Sequence, residues 1–441
     1  MHPARVCSSL IFCCAALFAA LSQTAVANTL CVTPKGSNGC YAKIQLAVNA
    51  AENNDVISVA AGTYKEDVVI GKPLSLVGAG PTSSFIDATG LANGIFLDGL
   101  DNPGLQNVTV AGFTVKNALY EGVLVVNTSN SSILNNHILN NDLIGPVFGS
   151  GPACKGQPAY ETDESGDCGG GLHLMGAVNV TVAGNFLSGN GDGILISDDT
   201  AQSSNNTIVN NNASDNPPEC GIVLASHPPA GSTPPYYAPH YGVENNTVAN
   251  NISSKNGVTV GGAGLGLFSD GNGPGRVSGN VIVRNRLIGN GIPGVALHTH
   301  VGPAFGAPAD NMDDNVIVGN FISGNGADTD DTLTPGPTGI NINSGGGGSP
   351  VRGTVISQNT IENESVDLAV NTPAKLDAHY NDLVGTGIGV ANVCALDSAA
   401  CTGSIDASEN YWGCPAGPGG SGCSTTSGVN IISAPWLKSW E

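Results

Sequence analysis

Large side chains are scarce in this sequence. Aromatic residues make up 5% of its 441 residues and charged residues 11%, whereas 62 residues are glycine. A disordered chain would also lack aromatic residues, but 41% hydrophobic residues with so little charge argue against disorder. Small side chains are instead typical of a regular stack of short elements.

Positive charge is scarcer still, with 14 Lys and Arg against 35 Asp and Glu. Binding to the phosphates of a nucleic acid requires a basic stripe, so no nucleic-acid partner is expected. An acidic polysaccharide would need Ca²⁺ or local arginines to bridge like charges. A neutral substrate would be easier to accommodate, but solubility is the simpler explanation for the acidic charge.

Long apolar runs are absent after the N-terminus. Residues 1–27 carry one charge, Arg5, then an apolar run from Leu10 to Leu21, and finish in Ala25-Val26-Ala27. This pattern is typical of a secretory signal peptide. No later segment approaches the roughly 20 apolar residues of a membrane span. We therefore expect a secreted or periplasmic protein, a monomer, with no membrane span.

The cysteine spacing predicts disulfides. Of 12 cysteines, nine follow residue 27, and eight of these form close sequence pairs. In an exported protein such pairs indicate local disulfides. The four predicted bridges are Cys31–Cys40, Cys154–Cys168, Cys394–Cys401 and Cys414–Cys423. Cys220 is left over, and a lone cysteine is usually a small buried hydrophobic residue.

Asparagine recurs at five-residue steps, usually with an apolar residue two positions later. The four blocks are Asn206/Asn211/Asn216, Asn246/Asn251/Asn256, Asn280/Asn285/Asn290 and Asn315/Asn320/Asn325. Such steps fit neither a helix face nor a long strand. Each Asn is therefore expected at a sharp bend between short strands, where it tolerates left-handed backbone geometry. Stacked over successive coils, these residues should form Asn ladders.

A second motif is glycine followed by apolar-x-apolar. It begins at Gly171, Gly193, Gly221, Gly264, Gly294 and Gly339. Strand alternation places both apolar residues inside and the residue between them on the outer face. The 22-residue interval from Gly171 to Gly193 is about one coil of a three-sheet solenoid. The pattern predicts an all-β, single-domain right-handed parallel β-helix of roughly 10–12 coils.

The open end of a solenoid must be covered. The stretch from Ile44 to Glu52, rich in alanine and aliphatic residues, predicts a short N-terminal cap. The predicted organisation is a signal peptide at 1–27, a capping segment at 28–52, the β-helix at 53–410, and a C-terminal coil and tail at 411–441.

Two segments resemble a known group of proteins. The stretch AAENNDVISVAAGTYKEDVVIGKPLSLVGAG, from Ala50 to Gly80, resembles the opening coil of secreted β-helix proteins of the pectin-lyase-like superfamily. That superfamily includes NosD-like periplasmic proteins and many polysaccharide-acting enzymes. NYWGC, from Asn410 to Cys414, with Pro435-Trp436-Leu437, resembles their terminal coil. The resemblance implies the fold but no single activity, because this architecture hosts lyases, hydrolases, epimerases and non-enzymes.

Long insertions gather beside the glycine-initiated strands. Those that follow the strands are Ala225 to Tyr241, Phe268 to Arg276, Thr299 to Met312 and Asn343 to Arg352, and those that precede them are Leu143 to Cys168 and Ala327 to Thr338. Loops on both edges of one sheet predict a groove with that sheet as its floor. Loops on a rigid scaffold commonly carry function.

The sixth residue after four successive motif glycines is titratable. These residues are Asp199, His227, Asp270 and His300. Because neighbouring coils lie about 4.8 Å apart, the four side chains are expected to form one column at the groove edge. His298 shares a strand face with His300, and Asp198 precedes Asp199. The predicted catalytic residues are therefore His300, His227, Asp270, Asp199, His298 and Asp198.

Three chemistries can use this column. Asp199 and Asp270, two coils apart, would be separated by about 9–10 Å, near the upper end of the spacing for an inverting glycosidase pair. In uronate elimination or epimerisation, His300 would abstract a proton beside a carboxylate neutralised by Ca²⁺, Asn or an arginine, and His227 would donate one. The nearest candidate arginines are Arg276, Arg284 and Arg286. The third chemistry is transition-metal binding. Its candidate ligands are His227, His298, His300 and Asp270.

The stretch Asn190-Gly191-Asp192-Gly193-Ile194 resembles the first Asn-x-Asp-Gly motif of polygalacturonase-type hydrolases, which would make Asp192 a catalytic carboxylate. The next two coils carry Pro218-Glu219-Cys220 and Gly262-Ala263-Gly264 where that family's other motifs should stand. Since two of three motifs fail, Asp192 is interpreted as a turn residue, which NGDG sequences favour. His173 and Cys220 are interpreted as packing residues.

These observations support an exported carbohydrate-active protein, a polysaccharide lyase, epimerase or hydrolase that acts in the groove. Two alternatives stay open: a non-catalytic glycan-binding or surface module, and a NosD-like metal-binding periplasmic protein. The insertions favour a site, because a purely structural solenoid does not need loops on one sheet. The expected partner is a polysaccharide or oligosaccharide, and Ca²⁺ or a transition metal is the candidate cofactor.

Overall fold

The computed structural model describes residues 27–142, 169–226, 241–269, 275–299, 309–329, 331 and 333–440. Over these residues the chain forms short strands and two short helices. The elements before residue 143 are β1 (Thr29–Val32), α1 (Ile44–Ala50), β2 (Asp55–Val59), β3 (Gly62–Tyr64), β4 (Val68–Ile70), β5 (Leu74–Gly78), β6 (Ser84–Asp87), β7 (Ile95–Asp98), β8 (Thr109–Ala111), β9 (Thr114–Lys116), β10 (Val123–Val126), β11 (Ser132–Leu134) and β12 (His137–Leu139).

The elements from residue 169 to residue 299 are β13 (Leu172–Met175), β14 (Thr181–Ala183), β15 (Phe186–Ser188), β16 (Ile194–Ser197), β17 (Ser203–Ser204), β18 (Thr207–Val209), β19 (Asn212–Ser214), β20 (Ile222–Ser226), β21 (Val243–Glu244), β22 (Thr247–Ala249), β23 (Ile252–Ser254), β24 (Leu265–Ser269), β25 (Val277–Ser278), β26 (Val281–Val283), β27 (Arg286–Ile288) and β28 (Val295–Thr299). The remaining elements are β29 (Val316–Val318), β30 (Phe321–Ser323), β31 (Thr338–Asn343), β32 (Val355–Ser357), β33 (Thr360–Glu362), β34 (Val366–Asn371), β35 (Lys375–His379), β36 (Asp382–Val384), β37 (Ile388–Asn392), α2 (Cys394–Asp397), β38 (Ser404–Asp406), β39 (Thr425–Gly428) and β40 (Ile431–Ile432).

Nearly all strands belong to three long parallel sheets. Within the described residues, sheet 1 has 14 strands in the order β1-β2-β5-β8-β11-β14-β18-β22-β26-β29-β32-β35-β38-β40. Sheet 2 has 11, in the order β3-β6-β9-β12-β15-β19-β23-β27-β30-β33-β36. Sheet 3 has 12, in the order β39-β37-β34-β31-β28-β24-β20-β16-β13-β10-β7-β4, and sheet 4 is the short ladder β17-β21-β25. Each coil thus adds one strand to each long sheet, and the predicted single-domain, three-sheet parallel β-helix is confirmed.

One apolar core runs along the inside of the coils. The residues that the glycine motif directs inward, such as Ile194 and Ile196, are fully buried in it. The residue between them, Leu195, packs in a separate cluster on the outer face with Val223 and Ala296. Strand alternation therefore works as predicted, and it separates a core face from a second apolar surface.

Buried asparagines form ladders that hold the coils together, as predicted. One ladder runs through Asn136, Asn185, Asn211, Asn251, Asn285, Asn320, Asn359, Asn381 and Asn410. At each step the Oδ1 atom accepts hydrogen bonds from the backbone N–H and the side-chain Nδ2 of the preceding Asn. Asn211, for instance, donates at 2.8 and 3.1 Å to Asn251 Oδ1. Buried backbone groups at the bends are satisfied in this way.

The left-handed backbone lies one residue earlier than predicted. The ladder residues Asn206 and Asn211 are absent from the residues with positive φ, whereas Asn205 and Asn210, just before them, have φ of 57° and 56°. The expectation for the ladder Asn itself is therefore wrong. Its side chain must point inward to bond the neighbouring coils, so the residue before it makes the bend.

A short helix closes the N-terminal end of the solenoid. The cap helix α1 packs its buried residues Ile44, Ala47 and Val48 over the first coil, in contact with β1, β2 and β4. The Glu66 carboxylate accepts hydrogen bonds from the N–H groups of Ile44 (2.9 Å) and Gln45 at its N-terminus. A carboxylate at that end opposes the helix dipole and satisfies unpaired donors.

Three predicted disulfides are present, namely Cys31–Cys40, Cys394–Cys401 and Cys414–Cys423. The fourth predicted pair, Cys154–Cys168, and most of the predicted signal peptide lie outside the described residues. Cys220 is buried, and its sulfur accepts a hydrogen bond from the N–H of Ala263. Neither helix in the described part of the chain has the length and apolar character needed to cross a membrane.

Candidate functional site

Sheet 3 differs from the other long sheets because both faces of its central strands are shielded from solvent. Strands of sheets 1 and 2, such as β14 and β15, alternate between buried and partly exposed residues. In sheet 3 every residue of β13, β16 and β20 is buried. The predicted insertions enter and leave the solenoid beside these strands. The outer face of sheet 3 is therefore the candidate functional surface.

The strand register needed for the predicted column is present. Ser197 pairs with Ala225, Ala225 with Phe268, and Phe268 with His298, so successive coils are aligned up to the last residues of their strands. Asp199 follows Ser197 by two residues. The other members of the column, His227, Asp270 and His300, lie outside the described residues. Their convergence with Asp199 stays a prediction.

Asp199 belongs to a buried chain of polar side chains. Its Oδ2 accepts a hydrogen bond of 2.6 Å from Ser197 Oγ. Ser197 Oγ lies 2.7 Å from His173 Nε2, and His173 Nδ1 lies 3.3 Å from Glu121 Oε1. All four residues are at most 4% exposed. His173 thus has a polar partner at each of its ring nitrogens, which the packing interpretation did not anticipate.

A second carboxyl group, Asp192, meets this chain beside Glu121. Glu121, Gly170 and Asp192 occupy the same position in three successive coils, each just before the motif glycine. Gly170 N–H donates to Glu121 Oε2 at 2.9 Å, and a Cβ atom on Gly170 would overlap Asp192 Oδ1. The missing side chain at Gly170 therefore leaves the space in which the two carboxyl groups approach each other.

The surroundings of Asp192 raise the pKa of its carboxyl group. Burial, and next the Glu121 carboxylate, raise the pKa of Asp192 to about 8, an effect that His173 and a bond from Gly171 N–H only partly offset. A buried carboxylate loses hydration, and a neighbouring negative charge disfavours its ionisation further. Asp192 is therefore a carboxylic acid at neutral pH. Such groups concentrate at functional sites, and this one was interpreted from sequence as a turn residue.

One sequence signal does point to this pair. The residue just before the motif glycine is acidic in two of three successive coils, at Glu121 and Asp192, with glycine between them. The predicted column consists of the sixth residues after the motif glycines, so it does not include the residues before them. Asp142 also raises the pKa of Asp192 and lies at the start of the insertion of residues 143–168, so the acidic group extends to the groove edge.

Asp198, predicted as a catalytic residue, has contacts that hold the chain in place. Its Oδ2 accepts hydrogen bonds from Ser226 Oγ at 2.9 Å and from Gly242 N–H at 2.6 Å, and the residue is fully buried. Gly242 lies just after the insertion of residues 227–240. Asp198 thus joins the two ends of that insertion.

His298 forms a second polar cluster further along the same face. Its ring stacks on Phe268, with centroids 4.5 Å apart, and its Nδ1 lies 3.5 Å from Asp328 Oδ2. Asn341 Nδ2 donates to Asp328 at 3.1 Å and to Asp331 at 3.3 Å. The two aspartates come from the insertion predicted to precede β31, which places that insertion beside the groove floor. Of the four candidate metal ligands, only His298 is among the described residues.

An apolar strip separates the two polar clusters. Leu195, Val223, Ala225, Phe268 and Ala296 project outward from the four consecutive strands β16, β20, β24 and β28 and pack together. The arginines proposed as partners of an anionic substrate point elsewhere. Arg276 pairs with Glu244 at 2.6 Å, and Arg286 lies on sheet 2 over the ring of Phe321.

Comparison with known proteins identifies the fold. Residues 83–233 match the family model described as right handed beta helix region. The catalytic unit of a thermostable GH87 α-1,3-glucanase from Streptomyces thermodiastaticus is 17% identical, with a TM-score of 0.50 over 90% of this chain. The chain spans 66% of that unit. A search of curated protein sequences finds no match.

Two further structures are similar. The Dettilon tailspike protein is 11% identical, with a TM-score of 0.58 over 91% of this chain and 68% of its own. A DFA-IIIase from Arthrobacter chlorophenolicus A6 is 11% identical, with a TM-score of 0.51 over 83% of this chain and 88% of its own. At these identities the likeness concerns the fold alone. It confirms the predicted right-handed parallel β-helix.

Proposed function

We propose that this protein is an exported carbohydrate-active enzyme that hydrolyses glycosidic bonds in a polysaccharide bound along the outer face of sheet 3. One observation carries the proposal: Glu121 and Asp192 form a buried pair of carboxyl groups, and Asp192 keeps its proton at neutral pH. Glycoside hydrolases use such a pair, one group as acid and the other as base or nucleophile.

In this proposal Asp192 protonates the oxygen of the leaving sugar. Glu121 takes the proton of the attacking water or attacks the sugar itself. Two coils apart, their backbones are separated by about 10 Å, and both side chains reach toward Gly170, so the carboxyl groups are closer than their backbones. His173 and Ser197 link Glu121 to Asp199, and this chain of contacts holds the Glu121 carboxylate in position.

The groove is better suited to a neutral glycan than to a polyuronate. Elimination or epimerisation beside a carboxylate requires a cation to neutralise that group. Arg276 and Arg286, two of the candidate cations, are bound to Glu244 and Phe321. The chain is also acidic, with a net charge of −21. Phe268, the partly exposed member of the apolar strip, offers a surface for the nonpolar face of a sugar ring, and a glucanase is among the proteins of similar fold.

A glycan screen with two readouts tests this function. Hydrolysis yields new reducing ends, whereas elimination also yields an unsaturated sugar that absorbs ultraviolet light. We expect reducing ends alone, and their loss in Glu121→Gln. Glu362→Gln, on sheet 2, is the matched control and should keep full activity. An ultraviolet-absorbing product would identify a lyase. Retained glycan binding without any product would identify a binding module.

A further inference from the structure

A group of potential metal ligands lies on sheet 1, away from the groove. Asp377 and His379 project from one face of β35, and Asp406 from the neighbouring strand β38, with Asp377 and Asp406 directly paired. One ligand atom from each of the three residues lies within 4.8 Å of the others. The rigid ladder of sheet 1 therefore presents one imidazole and two carboxylates together at the surface.

A group outside the cluster orients the imidazole of His379 for metal coordination. His379 Nδ1 lies 2.8 Å from the backbone oxygen of Ser408. A carbonyl oxygen only accepts, so Nδ1 carries the proton and Nε2 keeps its lone pair. Metal-binding histidines are commonly held in this way. Ser408 also donates to Asp406 Oδ1 through its hydroxyl at 2.7 Å, so one residue fixes two of the three side chains.

Positive charge is already present at this position. Lys375 Nζ lies 2.7 Å from Asp377 Oδ1 and 3.8 Å from Asp406 Oδ2. The side chain of Lys375 is 56% exposed. Because an ammonium group on a long flexible stem is held weakly at an exposed position, a divalent ion can displace it.

We propose that Asp377, His379 and Asp406 bind a divalent transition metal of the Zn²⁺ type, with Lys375 turned into solvent. Imidazole and carboxylate together suit Zn²⁺, which takes four ligands, and the open side of the site leaves the fourth position to water. The bound ion joins two successive coils near the C-terminal end of the solenoid. It therefore stabilises the folded chain without taking part in groove chemistry.

Titration calorimetry with ZnCl₂ on the metal-stripped protein tests the site. We expect the wild type to bind one more equivalent of Zn²⁺ than His379→Ala, and Lys375→Met to bind that equivalent more tightly because its competitor is gone. His137→Ala is the control, since His137 packs against Phe186 on sheet 2 and should leave binding unchanged. Zn²⁺ should also raise the melting temperature of the wild type more than that of His379→Ala.

Equal stoichiometry in the wild type and His379→Ala would overturn the proposal. Unchanged affinity in Lys375→Met would also overturn it, because displacement of the ammonium is part of the argument. Each variant changes a surface side chain, and circular dichroism of each protein establishes that the fold is retained. Failure here leaves the groove untouched, since no member of this site lies on sheet 3.

Discussion

At the scale of single residues, the proposed chemistry of the groove depends on the absence of a side chain at Gly170. Gly170 has no side chain, and the space that this leaves is taken by the carboxyl of Asp192 next to Glu121. Burial and like charge then hold the proton on Asp192. The same two carboxylates with a larger residue between them could not approach each other, so the glycine is part of the proposed site.

The proton on Asp192 makes stability depend on pH. Its pKa is about 8 in the folded protein, above the ordinary value of 3.8. Because the folded protein binds this proton more tightly than the unfolded chain, the proton stabilises the fold. This stabilisation is fully present below about pH 4 and is lost as the pH rises through about 8. Asp192→Asn cannot titrate, so its free energy of unfolding should fall less than that of the wild type between pH 4 and 9. Denaturant titrations at several pH values measure this, and parallel curves for the two proteins would contradict it.

Filling the space beside Gly170 should lower both stability and activity. In Gly170→Ala the new methyl group overlaps Asp192 Oδ1, and such overpacking costs about 1–3 kcal/mol. We expect this loss in denaturant unfolding, together with lower glycan hydrolysis. In the double variant Gly170→Ala, Asp192→Ala the overlap disappears. The stability cost of the alanine at 170 should therefore be smaller there, and an equal cost in both backgrounds would show that the two residues do not interact.

At the scale of elements, the Asn ladder fixes the pitch of the coils. Asn211 accepts bonds from Asn185 and donates to Asn251 and to the backbone oxygen of Val182. Asn211→Ala leaves the buried N–H of Asn185 and the oxygen of Val182 without these bonds, at about 1–3 kcal/mol for each group left unsatisfied. Thermal unfolding should detect the loss.

The residue before the ladder position supplies the matched control. Asn210 has a positive φ of 56° and an exposed side chain, so Asn210→Gly keeps the bend without strain. Its stability should stay within about 1 kcal/mol of the wild type, the cost of glycine's greater freedom in the unfolded chain. If Asn210→Gly were as destabilising as Asn211→Ala, the ladder would not be the source of the stability.

Regularities within one coil were predictable from sequence, whereas contacts between distant residues were not. The glycine motif and the five-residue Asn step are local, and they predicted strand faces and the ladder correctly. The bond from Gly242 to Asp198 joins residues on either side of an insertion, so no spacing rule could assign Asp198 that role. The pair of Glu121 and Asp192 was missed because the coils were aligned on a different position.

At the scale of the whole molecule, one face of the solenoid stands apart. Sheet 3 carries on its outer side two polar clusters, centred on His173 and His298, with an apolar strip between them. The crowding of insertions beside this sheet predicted the face, since loops need space that a bare solenoid does not require. The predicted set of catalytic residues on that face stays a hypothesis.

The most direct measurement of the central claim compares substrates with poor and good leaving groups. A general acid is needed when the leaving sugar must be protonated, and hardly at all when an aryl group leaves as a stable anion. Asp192→Asn should therefore lose about 100-fold or more in kcat/KM on the polysaccharide, while an activated aryl glycoside of the same sugar is hydrolysed at nearly the wild-type rate. An equal loss on both substrates, or no loss on either, would contradict the assignment of Asp192 as the acid.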